Sequence, residues 1–196
     1  MQCFEGLCVY LCRKPKQMDK ESNNLISDLL ERKRGAQERL LTQYGQMVFR
    51  LVARIVTQRE DAEEVYQDVF VKAFRSIGTF DESQASLATW LGRIAYNEAL
   101  NFVRKKTPMW VYIDDHDGDL EDVWDEDATQ EDAQTIERME QAMEQLPPHE
   151  QNLLSMYYFD HLSLKEIAYI TCSVPTTVGS QLCRIRKKLY QIMQKL

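Results

Sequence analysis

An all-α fold follows from three features of the sequence. Apolar residues recur every three or four positions over long stretches, no run alternates β-branched and polar residues, and 196 residues include only 7 Gly and 5 Pro to interrupt helices. Charge then divides the chain: residues 107–162 carry 16 acidic side chains against one basic. This block divides the chain into two helical domains, and a 44% hydrophobic composition is enough to give each a core. The expected organisation is an extension over residues 1–19, a helical domain over 20–107, an acidic flexible linker over 108–132 and a second helical domain over 133–196.

The net charge of −7 argues against nucleic-acid binding only until it is divided by segment. Residues 1–19 carry +1, 20–106 carry +2, 107–162 carry −15 and 163–196 carry +5. Almost all the acidity therefore sits in one central segment, and the segments on either side of it are net positive. An enzyme is not expected. The sequence has no Ser/His/Asp or HExxH-type arrangement and no phosphate-cradling Gly-rich loop, so neither a cofactor nor a small-molecule substrate is implied. Five cysteines, an odd number without a regular framework, read as reduced thiols, and the spacing of Cys3, Cys8 and Cys12 matches no zinc pattern. With no apolar span of about 18 residues and no signal peptide, the expected location is the cytoplasm.

Taken in order, residues 1–17 form a short Cys-rich apolar run followed by a basic cluster. They are expected to be a disordered tail or a translation-start artefact ahead of Met18. Two helices are expected from Asn24 to Thr57. The second presents Leu40, Leu41, Tyr44, Met47, Val48, Leu51, Val52 and Ile55 on one broad face, with Arg50 and Arg54 opposite. A helical hairpin should follow from Asp61 to Lys106, with Ala62, Val65, Val69, Ala73 and Ile77 facing Leu87, Leu91, Ile94 and Phe102 across a polar loop. Trp90 belongs mainly to the core, with a part in DNA melting as the second reading.

Two surfaces of this hairpin carry chemistry. Glu63, Glu64, Gln67, Asp68 and Lys72 lie opposite the apolar stripe and form a polar docking face. Asn97 offers a donor and an acceptor to a base edge, Asn101 lies one turn on, and Arg104, Lys105 and Lys106 close the helix with positive charge. The aromatics that punctuate the hairpin, Tyr66, Phe70, Phe74, Phe80, Trp90, Tyr96 and Phe102, are expected to leave some rings exposed, where unpaired bases would stack.

After Pro108, the run from Asp114 to Asp132 holds 11 carboxylates and no Lys or Arg, and mutual repulsion should keep it extended. It lacks the ordered ligands of a calcium loop. In the second domain, one helix carries Ile136, Met139, Ala142, Met143 and Leu146. Pro147-Pro148 ends it, and the next helix carries Leu153, Leu154, Tyr157 and Tyr158. Residues 162–189 read as helix, turn, helix: Ser163 and Glu166 form a capping box, and Leu164, Ile167, Ala168, Val178, Leu182, Ile185 and Leu189 supply the packing. Thr176 and Thr177 open the second helix, where a recognition helix meets the major groove, and Ser180, Gln181 and Arg184 follow along it.

The strings DAEEVYQDVFVKAF and FDESQASLATWLGRIAYNEALNFVRKK, with LSLKEIAYITCSVPTTVGSQLCRIRKKL further on, resemble the sigma-70 family of bacterial RNA polymerase sigma factors, in its extracytoplasmic-function (ECF) group. The resemblance implies a region 2-like helical bundle and a four-helix region 4-like domain. It further implies that the polar face binds the clamp helices of the core polymerase's largest subunit, with a second contact at the polymerase flap. The 80–87 loop and Asn97 would then hold a flipped minus-ten base, Arg104 to Lys106 would contact phosphates, and the helix-turn-helix would read the minus-thirty-five element. It implies an anti-sigma factor as a further partner, one that can hold the chain at the membrane, and a linker, anchored by Trp110 to Ile113 and Trp124, that threads the polymerase channel. The chain departs from the family at Cys172, where Gly is usual in the turn, and at Gly179 and Gln181, where basic residues are common. Cys172 and Cys183 read as structural thiols before redox sensors. An autonomous helix-turn-helix regulator is the alternative, and it leaves the docking face without a purpose.

Overall fold

The computed structural model describes residues 20–106 and 133–196. The extension and the acidic linker, with their expected anchors, lie outside the described residues. Among those described, every regular element is a helix.

Helix α1 (Lys20–Leu30) drops Leu25 and Leu29 into the core and turns sharply into α2 (Ala36–Ala53). The turn needs left-handed backbone at Arg32 (φ 54) and at Gly35 (φ 82). It is pinned by Asp28, which accepts from Lys33 Nζ at 2.9 Å and from Arg39. Those two cations, Lys33 first, hold the Asp28 carboxyl below the usual carboxylate range. Helix α2 buries Leu40, Val48, Leu51 and Val52, while Leu41, on the rim of the broad stripe, is exposed. The stripe is wider than the contact it makes, so its edge meets water.

Helix α3 (Arg59–Ser76) buries Ala62, Val65, Val69, Phe70 and Ala73, and a single 3₁₀ turn (Ile77–Thr79) ends it. In the following loop Asp81 accepts the backbone N–H of Ser83 at 2.9 Å and its hydroxyl at 2.7 Å, which lowers the Asp81 pKa. Ser86 Oγ then accepts the Thr89 N–H at 3.1 Å and starts α4 (Leu87–Lys106). Helix α4 buries Leu87, Trp90, Leu91, Ala95, Tyr96 and Ala99, so Trp90 is a core residue.

The second unit begins with α5 (Ala133–Glu144), which leaves Met139 exposed and buries Ala142. Pro147 and Pro148 end α5 as expected, yet Pro148 also begins α6 (Pro148–Leu154), because its fixed φ and missing N–H suit the first helical position. Helix α6 runs into a π turn at Ser155–Phe159. The wider turn shifts the helical register, and Tyr157, Tyr158 and Phe159 emerge exposed where regular α spacing would have put the two tyrosines on the apolar face.

Helix α7 (Leu164–Thr171) carries the full capping box. Ser163 Oγ accepts the Glu166 N–H, and the Glu166 carboxylate accepts the Ser163 N–H at 2.9 Å. Cys172 closes α7 in the left-handed conformation (φ 57, ψ 36), a geometry that costs a side-chain-bearing residue about 1 kcal/mol. Helix α8 (Pro175–Met193) completes the helix-turn-helix on Val178, Leu182 and Ile185, packed against Ile167 and Ala168.

The two units share one continuous apolar core, joined where α7 lies against α4. No described helix is long and apolar enough to cross a membrane.

Candidate docking face and nucleic-acid interface

The polar face of α3 is open. Glu63, Glu64, Gln67, Asp68 and Lys72 are all exposed, because the core takes only the Ala62, Val65, Val69 and Ala73 side of the helix. Glu63 accepts from Arg59 Nε at 3.1 Å one turn earlier, and Lys72 pairs with Glu98 of α4, which ties the hairpin together. Glu64, Gln67 and Asp68 pair with no other described residue. They form a row of unspent acceptors and donors along one helix.

The corresponding face of α4 is arranged differently. Asn97 is half-buried, and its amide Nδ2 donates toward Cys172 Sγ at 3.7 Å. Asn101, Arg104 and Lys105 are exposed. Lys106 lies over the Phe102 ring (4.9 Å to the centroid) and pairs with Asp61 Oδ2 at 2.5 Å, joining the end of α4 to the start of α3. A C-terminal cluster of cations also complements the partial negative charge of the helix end.

The expected stacking platform of exposed rings is not present. Phe70, Trp90 and Tyr96 are buried, and Tyr66, Phe74, Phe80 and Phe102 are half-buried. Edge-on pairs explain this: Phe49 meets Tyr66 at 5.9 Å, Tyr66 meets Phe70 at 5.0 Å, and Phe80 meets Trp90 at 5.6 Å. These rings satisfy one another inside the bundle.

On α8, Thr176 is exposed at the first turn, while Thr177, Ser180, Gln181 and Arg184 are half-buried. Ser180 Oγ donates to the Thr176 carbonyl at 3.1 Å. Further along, Arg186 donates to the Tyr158 hydroxyl at 3.2 Å and steadies α8 against the π turn.

Sequence patterning missed the seam between the two units. Arg54 does not face solvent opposite the core: its guanidinium grips Asp160 with two bonds (2.5 and 3.2 Å) across 106 residues of sequence. Arg93 of α4 lies over the Tyr169 ring at 4.8 Å. Gly92, buried in α4, lets Ile170 approach so closely that a Cβ at position 92 would sit 3.2 Å from its Cδ1. A glycine inside a helix of good formers was the one available signal, since it costs about 1 kcal/mol relative to Ala unless close packing requires it. Beside the seam, a cavity of about 310 Å³ is lined by Ile55, Val56, Leu100, Phe102, Val103 and Pro147 to His149. Burial there pushes the His149 pKa down, Glu150 opposes the shift and Lys188 adds to it.

Two family models match the chain: Sigma-70 region 2 over residues 40–108 and Sigma-70, region 4 over residues 136–189. The RNA polymerase sigma-H factor of Pseudomonas aeruginosa is 29% identical over 171 residues, which is 80% of this chain and 86% of that protein. The ECF RNA polymerase sigma factor RpoE of Cereibacter sphaeroides is 30% identical over 142 residues, 69% of this chain and 72% of that one. Among solved structures, CnrH in complex with the cytosolic domain of CnrY has the same fold at a TM-score of 0.62 and 18% identity, covering 89% of this chain and 97% of that one. The sigma factor RpoE of Bartonella quintana, solved with the anti-sigma factor NepR, gives a TM-score of 0.58 at 19% identity, over 82% and 98% of the two chains.

Proposed function

The chain belongs to the sigma-70 family, in its ECF group, and from that premise we propose how its surfaces divide the work of starting transcription. The open face of α3, with Glu63, Glu64, Gln67, Asp68 and Lys72, docks on the clamp helices of core RNA polymerase. Residues 20–107 form the domain that melts the minus-ten element: Asn97 and Asn101 take base edges of the displaced strand, and Arg104, Lys105 and Lys106 take its phosphates. Residues 133–196 read the minus-thirty-five element as duplex, through Thr176, Thr177, Ser180, Gln181 and Arg184, and meet the polymerase flap. The chain acts as a non-catalytic subunit in the cytoplasm. An anti-sigma factor is a further partner, by similarity to the B. quintana sigma factor solved with one.

The observation that carries this reading is the contrast on α3. Its apolar side is fully committed to the core, while Glu64, Gln67 and Asp68 are exposed and unpartnered. An autonomous regulator would have no use for such a face. The test is transcription by purified core polymerase on fragmented DNA, with and without this protein, followed by sequencing of the starts. Discrete protein-dependent starts are expected, lost in Asn97→Ala without loss of core binding. A protein that binds duplex DNA yet neither associates with core nor supports any start would overturn the proposal in favour of the autonomous regulator.

A further inference from the structure

The cavity beside Pro147 is walled mostly by carbon and sits where the chain leaves α4. Ile55 and Val56 line it from just past α2, Leu100 and Val103 from α4, and Pro147 and Pro148 from the start of α6, around a space of about 310 Å³. Arg104 and Lys106 bring positive charge to the same lining. A space of this size between apolar side chains forfeits dispersion energy along its walls unless apolar groups fill it.

The chain carries such groups within reach. After Lys106 come Thr107 and Pro108, then Met109, Trp110, Val111, Tyr112 and Ile113, an uncharged apolar run at the head of an otherwise acidic linker. Pro108 works against carrying this run onward as a continuation of α4. Lys106 itself lines the cavity, and Trp110 follows it by four residues, a reach of at most about 14 Å. Asp114, Asp115 and Asp117 come directly after the run, and their charge complements that of Arg104 and Lys106. Trp124, the other indole of the linker, lies much farther along and among carboxylates.

We infer that the head of the linker, Met109 to Ile113, docks in this cavity with Trp110 as its anchor. So short a tether holds the run at a roughly millimolar effective concentration, and a weak intrinsic affinity is then enough to keep it docked. The solvated tether between the two units therefore begins at Asp114 and not at Thr107. An apolar run that would otherwise meet water is also kept from pairing with other copies of the chain.

The test uses the full chain labelled with 5-fluorotryptophan, with the fluorine signals of Trp110 and Trp124 assigned by Trp110→Phe and Trp124→Phe. On transfer from light to heavy water, the Trp110 signal should shift less than half as far as that of Trp124, at every protein concentration. Val103→Phe, which fills the cavity from its wall, should raise the Trp110 shift to match. A fluorescein-labelled peptide of residues 107–117 should bind the chain carrying Trp110→Ser, Val111→Ser and Ile113→Ser about fivefold tighter than the wild type, as expected when the wild type's own run fills the cavity in about four chains of five.

If Val103→Phe loses helical circular dichroism, the peptide comparison decides. Equal shifts for Trp110 and Trp124 in the wild type, a small Trp110 shift that Val103→Phe leaves unchanged, or a peptide that binds the wild type and the serine variant alike would each overturn the inference. Protection of Trp110 that fades on dilution would overturn it too, by giving the cavity to the linker of a second copy. None of these readouts involves polymerase or DNA, so the outcome is independent of the proposed function.

Discussion

Helices α3 and α4 form one hairpin, yet their functional faces are in opposite states. On α3 the polar row from Glu63 to Asp68 is open to solvent, while on α4 Asn97 and Arg93 are held under the second unit. The cause is composition: α3 offers carboxylates and an amide that no described residue outside α3 pairs, whereas α4 offers a glycine hole that accepts Ile170. The comparison teaches that helical spacing alone does not set exposure: what the rest of the chain packs against a polar face decides whether it meets water.

The most drastic way to break the comparison is to remove what both helices stand on. Leu91 is fully buried on α4, and Leu91→Ala should cost about 2–5 kcal/mol in urea unfolding, taking the α3 face down with it. The next largest effect sharpens the contrast. Replacing Glu64, Gln67 and Asp68 together by Ala should weaken core binding about tenfold or more, while stability changes by no more than about 0.5 kcal/mol per site. A loss of core affinity from the α4 changes Asn101→Ala and Lys105→Ala of equal size would erase the distinction.

Between about pH 7 and about pH 5, acid should act through His149. Burial depresses the His149 pKa below its ordinary 6.5, so the folded state binds fewer protons than the unfolded chain between that lowered value and 6.5. The stabilisation from keeping His149 neutral is complete above 6.5 and is lost as pH falls toward and through the lowered folded value. The melting temperature of the wild type should drop more than that of His149→Gln on going from about pH 7 to about pH 5. Equal drops would mean that His149 does not titrate across the transition. The smallest effect is expected on α8, where a Cβ at Gly179 would meet only Leu164 Cδ1, at 3.8 Å. Gly179→Ala should therefore stabilise by about 0.5–1 kcal/mol and raise the melting temperature.

Much of this molecule could be read from residue spacing. The hairpin, the helix-turn-helix, the Ser163–Glu166 box and the strained turn at Cys172 are local features, dictated by side chains within a turn or two of one another. The aromatics were misjudged because spacing along a helix cannot tell a ring that meets water from one that meets another ring. Arg54 was misjudged for a related reason: nothing near it in sequence announces Asp160. The tyrosines at 157 and 158 fell out of register because a π turn adds a residue to the helical cycle without a sequence marker. Pro148 was read as a stop when the same ring chemistry also makes it a start.

Helix α4 meets the second unit along much of its length, from Gly92 under Ile170 to Val103 at the cavity beside Pro147, which at the rise of an α-helix is about 16 Å. A tilt of only a few degrees about one end would separate the other by about 1 Å, enough to forfeit a large part of its dispersion energy. The packing along this line should therefore be lost as a unit and not residue by residue, so a single cooperative unfolding step is expected for the two units together.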